Sequence, residues 1–90
     1  MNKAELVNIM AERLGQSRAE TERSVDAFID TVTEALKGGD KVTITGFGTF
    51  DVTLRKARTG HNPQTKEALH IPAFRTPKFK AGTALKDAVK

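Results

Sequence analysis

The 90-residue sequence has no cysteine, no tryptophan and no tyrosine. Without cysteine there are no disulfides, thiolate metal ligands, thiol nucleophiles or redox relays, and an intracellular setting is the simpler expectation. No apolar run approaches the roughly 20 residues of a membrane span, and Met1-Asn2-Lys3-Ala4-Glu5 opens no signal-peptide hydrophobic region. A cytosolic, unprocessed chain is therefore expected. Serine is confined to Ser17 and Ser24 and histidine to His61 and His70, so no nucleophile, base and orienting acid converge. No enzyme activity and no cofactor are expected. A metal site built from His61, His70 and Glu67 would lack the outer shell that holds such ligands in place.

What remains is one small module. At 9.8 kDa the chain has room for a single conventional core. A domain of this size buries only about 60 to 65% of its unfolded surface, which makes oligomerisation a natural way to complete that core. Charge is unevenly divided. Residues 1–40 carry five basic and eight acidic side chains, whereas residues 41–90 carry ten and three. The acidic helical half excludes a basic amphipathic membrane helix, and the basic half suits a polyanionic partner.

Leu6, Val7, Met10, Ala11 and Leu14 share one helical face, which Gly15 ends. Ser17 and Glu20 have capping-box spacing, and Val25, Phe28, Ile29, Val32 and Leu36 continue a second helix to Gly38-Gly39. From Asp40 the period becomes two. Val42 and Ile44 alternate with polar residues, Gly46-Phe47-Gly48 makes a hairpin turn, and Phe50, Val52 and Leu54 alternate again. Alternation resumes at Leu69, Ile71 and Ala73, with Gly60 and Asn62-Pro63 marking a reversal between them. Thr83 is positioned to cap a last short helix that carries Leu85 and Val89.

Between Leu54 and Leu69 there is no large hydrophobic residue, so this ribbon has no core of its own and projects as an arm. From Thr53 to Lys80, seven basic residues (Arg55, Lys56, Arg58, Lys66, Arg75, Lys78 and Lys80) face one acid, Glu67. A phosphate backbone is the natural partner of such a ribbon. The aromatic run that single-strand binders use for stacking is missing from it, which disfavours RNA or single strands. Phe47, Phe50 and Phe79 are expected in the core rather than in base stacking.

Gly46-Phe47-Gly48-Thr49-Phe50, then Arg55, Ala57-Arg58-Thr59-Gly60, Asn62-Pro63-Gln64-Thr65, Ile71-Pro72-Ala73, Phe79-Lys80-Ala81-Gly82 and Ala84-Leu85-Lys86-Asp87-Ala88-Val89 resemble the bacterial histone-like HU proteins of the HU/IHF family. The resemblance spans the whole chain. It implies an α+β fold with two N-terminal helices, a sheet with a long protruding two-stranded arm and a short C-terminal helix, assembled as an intertwined homodimer. One domain would cover 1–90, with a helical dimerisation part (1–40), sheet and arm (41–82) and C-terminal helix (83–90). The implied function is architectural: minor-groove binding of duplex DNA with little sequence specificity, bending, and condensation of the nucleoid in the cytoplasm. Bent, nicked or distorted duplex would be preferred, and no small-molecule substrate, metal or membrane is implied. The alternative within the family is a sequence-preferring, integration-host-factor-like bending protein.

Carried onto this sequence, the resemblance makes Pro63 the residue that wedges between base pairs. Arg55, Arg58, His61, Asn62, Gln64, Lys66, Arg75, Lys80, Lys86 and Lys3 become DNA contacts. Phe47, Phe50, Phe79, Phe28, Val32 and Leu36 become dimer core. The chain departs from the family pattern at His61, where arginine is common, at Lys66, where glycine is common, and at Thr53, where a basic residue is common. These changes redistribute the charge of the arm.

Overall fold

The computed structural model describes residues 1–61, 64 and 68–90, with His61 and Leu69 described through their backbones. The chain divides into two compact units, residues 1–34 and 35–90. In the first unit, α1 (Lys3–Leu14) starts at Asn2, whose side-chain oxygen accepts the Glu5 N–H at 2.9 Å. This cap was not anticipated from the hydrophobic pattern. The helix ends where expected, at Gly15, with the Gln16 N–H bonded to the Ala11 carbonyl and the Gly15 N–H to that of Glu12.

The helix α2 (Arg18–Lys37) begins after Ser17, whose hydroxyl accepts the Glu20 N–H at 3.1 Å and so forms the hydroxyl half of the expected capping box. The same 6→1 and 5→2 bonds close its far end: Asp40 N–H to the Ala35 carbonyl and Gly39 N–H to that of Leu36. Val7, Val25 and Val32 are buried, as the helical periodicity predicts. Thr21 is fully buried beside them, and its hydroxyl is satisfied by the Ser17 carbonyl at 3.0 Å. Leu6, Leu14, Phe28 and Ile29, expected on the same apolar stripes, stay exposed within a single chain.

The second unit is built on antiparallel strands. The strands β1 (Val42–Ile44) and β2 (Gly48–Arg55) form the predicted hairpin, and the Phe47 N–H closes its turn on the Ile44 carbonyl at 2.9 Å. Gly46, with φ 84°, sits at the third turn position, which a type II turn reserves for positive φ. The strands β3 (Arg58–His61) and β4 (Ala68–Ile71) pair as a separate two-stranded ribbon. A further strand, β5 (Phe74–Ala81), pairs along all of β2, giving the order β1-β2-β5. A short helix, α3 (Thr83–Ala88), follows.

Several details correct the sequence reading. Gly60 lies inside β3 opposite Leu69 rather than in the reversal, and Ala73 falls in the break between β4 and β5. Gly82, not Thr83, is the N-cap of α3; Thr83 is already helical, because the chain leaves β5 one residue earlier than the capping pattern suggests. Val89 is that helix's exposed C-cap rather than a core position. The Asn62-Pro63 part of the expected turn lies outside the described residues.

Strand β5 carries Pro77, which has no N–H to give to a ladder. In the order β1-β2-β5 this strand has a hydrogen-bonded neighbour on one side only, the setting in which a strand tolerates proline. Pairing to β2 brings Phe79 into contact with Phe50 (centroids 4.8 Å apart) and with Phe47 (5.4 Å). Gly48 lies under this cluster. A Cβ there would stand 2.5 Å from the Phe79 ring and 2.6 Å from the Lys80 carbonyl oxygen. Since the second neighbour is backbone, Gly48→Ala is expected to cost about 1–3 kcal/mol by overpacking. Urea denaturation checks this; an unchanged midpoint would show that the sheet opens freely at this point.

Candidate nucleic-acid interface

Alternation divides the three-stranded sheet into two unlike faces. The register places Val42, Ile44, Phe50, Val52, Leu54, Pro77 and Phe79 on one face, and Thr49, Asp51, Thr53, Arg55, Phe74, Thr76, Lys78 and Lys80 on the other. Along β2, Phe50 and Val52 are half-buried and Asp51 and Thr53 exposed, while Thr49 is half-buried on the polar face; Leu54 is 65% exposed, so the apolar face runs out toward the arm. On the polar face Lys78 lies opposite Asp51, an opposite-charge pair across the strands, and Lys80 lies opposite Thr49. Lys80 thus carries the less compensated charge.

Pairing between β2 and β5 ends at Arg55 opposite Phe74, and the β3–β4 ribbon begins at Arg58 opposite Ile71. Lys56 and Ala57 on one side and Pro72 and Ala73 on the other separate the two ladders. At this joint Arg55, Lys56, Arg58, Phe74 and Thr76 line an open cleft of about 590 Å³. Two of the expected arginines therefore converge. Lys56 was expected among the basic residues of the ribbon; Phe74 and Thr76 were not expected here, and the register of β5 against β2 is the signal that finds them.

The remaining expected contacts are dispersed. Arg75 lies on the opposite face from Lys80, and its guanidinium donates to the Lys37 carbonyl at 3.0 Å, satisfying a carbonyl in the last turn of α2. That bond gives Arg75 a helix-terminus role in place of a position on the basic face. Lys86 is exposed in the last turn of α3. Gln64 is exposed in a turn, and His70 is exposed on β4 opposite Thr59. Asn62, Pro63 and Lys66 lie outside the described residues, as does the side chain of His61. Glu67, invoked above for a metal site, also lies outside them.

Lys3, in the first unit, forms an ion pair with Asp26 of α2. The hydrogen bond to Asp26 and its negative charge, with Glu22 and Asp30 adding to the field, hold the Lys3 ammonium above its ordinary pKa. The lysine is charged at neutral pH, and the neighbouring carboxylate offsets part of that charge.

A helical part, an antiparallel sheet with one polar face and a basic two-stranded arm together define a class of small nucleic-acid-binding proteins. The chain belongs to the bacterial DNA-binding protein family, whose match runs over residues 1–90. It is 56% identical to the DNA-binding protein HU of Geobacillus stearothermophilus over 90 residues, covering all of both chains. It is 52% identical to DNA-binding protein HU 1 of Bacillus subtilis over 89 residues, 99% of this chain and 97% of the relative. Among solved structures, the Anabaena HU–DNA cocrystal structure superposes with a TM-score of 0.90 at 44% identity, covering 99% of this chain and 97% of that one. HU from Thermotoga maritima gives 0.71 at 34% identity, with both chains fully covered. Membership in a family of DNA-binding proteins agrees with the expectation that the chain is not an enzyme. Among the described residues no helix is long and apolar enough to cross a membrane.

Proposed function

We propose that this protein is a histone-like architectural protein that binds duplex DNA as a homodimer and bends it. The observation that carries this reading is the basic arm joint. There Arg55, Lys56 and Arg58 are gathered on one cleft at the root of a ribbon that has little core of its own. Lys80 extends the same charge along the polar face of the sheet, and Lys86 adds a further cation on α3. Dimerisation follows from the apolar side chains left open in one chain. Phe28, Phe47 and Phe79 are each more than 40% exposed in one chain, and a second copy supplies the cover they lack.

In this reading the two arms of the dimer enter the minor groove, with Arg55 and Arg58 on sugar-phosphate and groove edges and Asn62, Gln64, His61 and Lys66 near the tip. Pro63 inserts between base pairs, its rigid ring replacing part of the lost stacking while the basic side chains offset the cost of deformation. Sequence specificity is low because such contacts sense duplex shape and flexibility more than base identity. The setting is the bacterial cytoplasm, on the nucleoid, where repeated bending compacts DNA. Functionally the chain acts as one domain, with residues 1–40 serving dimerisation, 41–82 forming sheet and arm, and 83–90 forming the terminal helix.

The bending step is tested at Pro63. Alanine keeps every basic side chain but removes the ring, so Pro63→Ala is expected to reduce the bend and the preference for nicked duplex more than the affinity for straight duplex. Energy transfer across an end-labelled duplex at saturating protein measures the bend. A bend equal to that of the parent would make Pro63 a turn residue only.

A further inference from the structure

Of the five phenylalanines, Phe47, Phe50 and Phe79 form one cluster within residues 35–90, and Phe28 belongs to α2. Phe74 stands apart. The register puts it on the polar face of the sheet, directly across from Arg55, and 48% of it is exposed. A large apolar ring on a surface of threonines and cations contributes nothing to the apolar face behind it. Its neighbours in the cleft are Arg55, Lys56, Arg58 and Thr76.

We propose that this cleft receives a single unpaired nucleotide of the bound DNA, with the Phe74 ring stacked on the extruded base and Arg55, Lys56 and Arg58 holding the adjoining phosphates. The inference rests on the DNA-binding reading above and names the side chain that would contact a base displaced from a distorted duplex. The cleft, at about 590 Å³, falls in the range of roughly 300–1,000 Å³ typical of sites for small molecules. The break between the two ladders creates it. Cations supply the phosphate half of nucleotide recognition, and an aromatic face supplies the base half without demanding a particular base, because every base has a π-face. In an intact duplex those faces are already stacked on their neighbours. The ring therefore discriminates for DNA in which one base has left the stack, where the cost of extrusion is lowest.

The test compares three duplexes of one sequence: intact, with one bulged thymine, and with an abasic residue at the bulge. The abasic bulge preserves the flexibility and phosphates of the lesion and removes only the base. The parent is expected to bind the thymine bulge roughly 5-fold or more tightly than the abasic bulge, and Phe74→Ala to bring that ratio to about 1. Because the chain has no tryptophan, Phe74→Trp provides a lone indole whose emission is expected to be quenched by the thymine bulge and not by the abasic one. An equal affinity of the parent for the two bulges, a preference that survives Phe74→Ala, or indole emission that is the same on both would overturn the inference while DNA binding stands. Failure of the parent to bind intact duplex would instead remove the DNA-binding reading, and the inference with it.

Discussion

Replacing Phe79 by alanine is expected to destabilise the protein by about 3–5 kcal/mol, the range for truncating a buried aromatic. In one chain Phe79 already touches the rings of Phe47 and Phe50, yet 42% of it is exposed. Its full burial belongs to the proposed dimer. The loss should therefore appear both as a lower denaturation midpoint and as a stronger dependence of that midpoint on protein concentration, because subunit association contributes to stability by mass action. With total stabilities of about 5–15 kcal/mol for native proteins, such a variant would be marginal at physiological temperature. Phe74→Ala is the internal control: the same truncation five register positions along β5 from Phe79, on the opposite face, with little expected effect on stability. Equal losses in the two variants, or sedimentation of the parent as a folded 9.8 kDa monomer at micromolar concentration, would defeat the dimer-core assignment.

Binding to random duplex is expected to weaken steeply with salt. Neutralising Z phosphates releases counterions and gives a log–log slope of about −0.9Z, so a protein with 6–10 such contacts loses about 10³–10⁵ in affinity between 50 and 200 mM salt. Arg55→Ala and Arg58→Ala should each lower the affinity and flatten the slope by about one for every phosphate contact removed from each arm. Arg75→Ala makes the informative comparison. Its guanidinium is bonded to the Lys37 carbonyl, so its removal should lower stability and leave the slope near that of the parent. Salt-independent binding, or a slope that falls for Arg75→Ala and not for the other two, would reject this placement of the charges. Filter binding or fluorescence anisotropy over a salt series provides the measurement.

The helical part and the first hairpin were legible because their determinants are local. Gly15, Ser17, Gly39 and Gly46 each settle a helix end or a turn through hydrogen bonds that span only a few residues, and the structure shows those bonds at the expected places. The second strand of the large pair was not legible. Phe-Arg-Thr-Pro-Lys-Phe-Lys-Ala contains a proline at its centre and a phenylalanine in each phase of its alternation, so neither propensity nor period two marks residues 74–81 as a strand. Only pairing to β2 does so. Ala73 was misplaced for the same reason, since the break between the two ladders is a property of which strand pairs with which.

By itself, then, the sequence determined the helices and their caps, the first hairpin, the division of charge between the two halves and, through its family signature, the class of partner. Tertiary pairing decided the rest: that β5 joins the sheet as an edge, that Phe79 and Phe74 in one strand face opposite ways, that Arg55, Lys56 and Arg58 meet in a cleft, and that Arg75 turns to a helix end. The physical reason is range. A cap or a turn is a bargain struck among neighbours along the chain, whereas the face a side chain occupies in a sheet depends on the register of a partner strand 19 to 33 residues away, where a slip of one residue exchanges the faces.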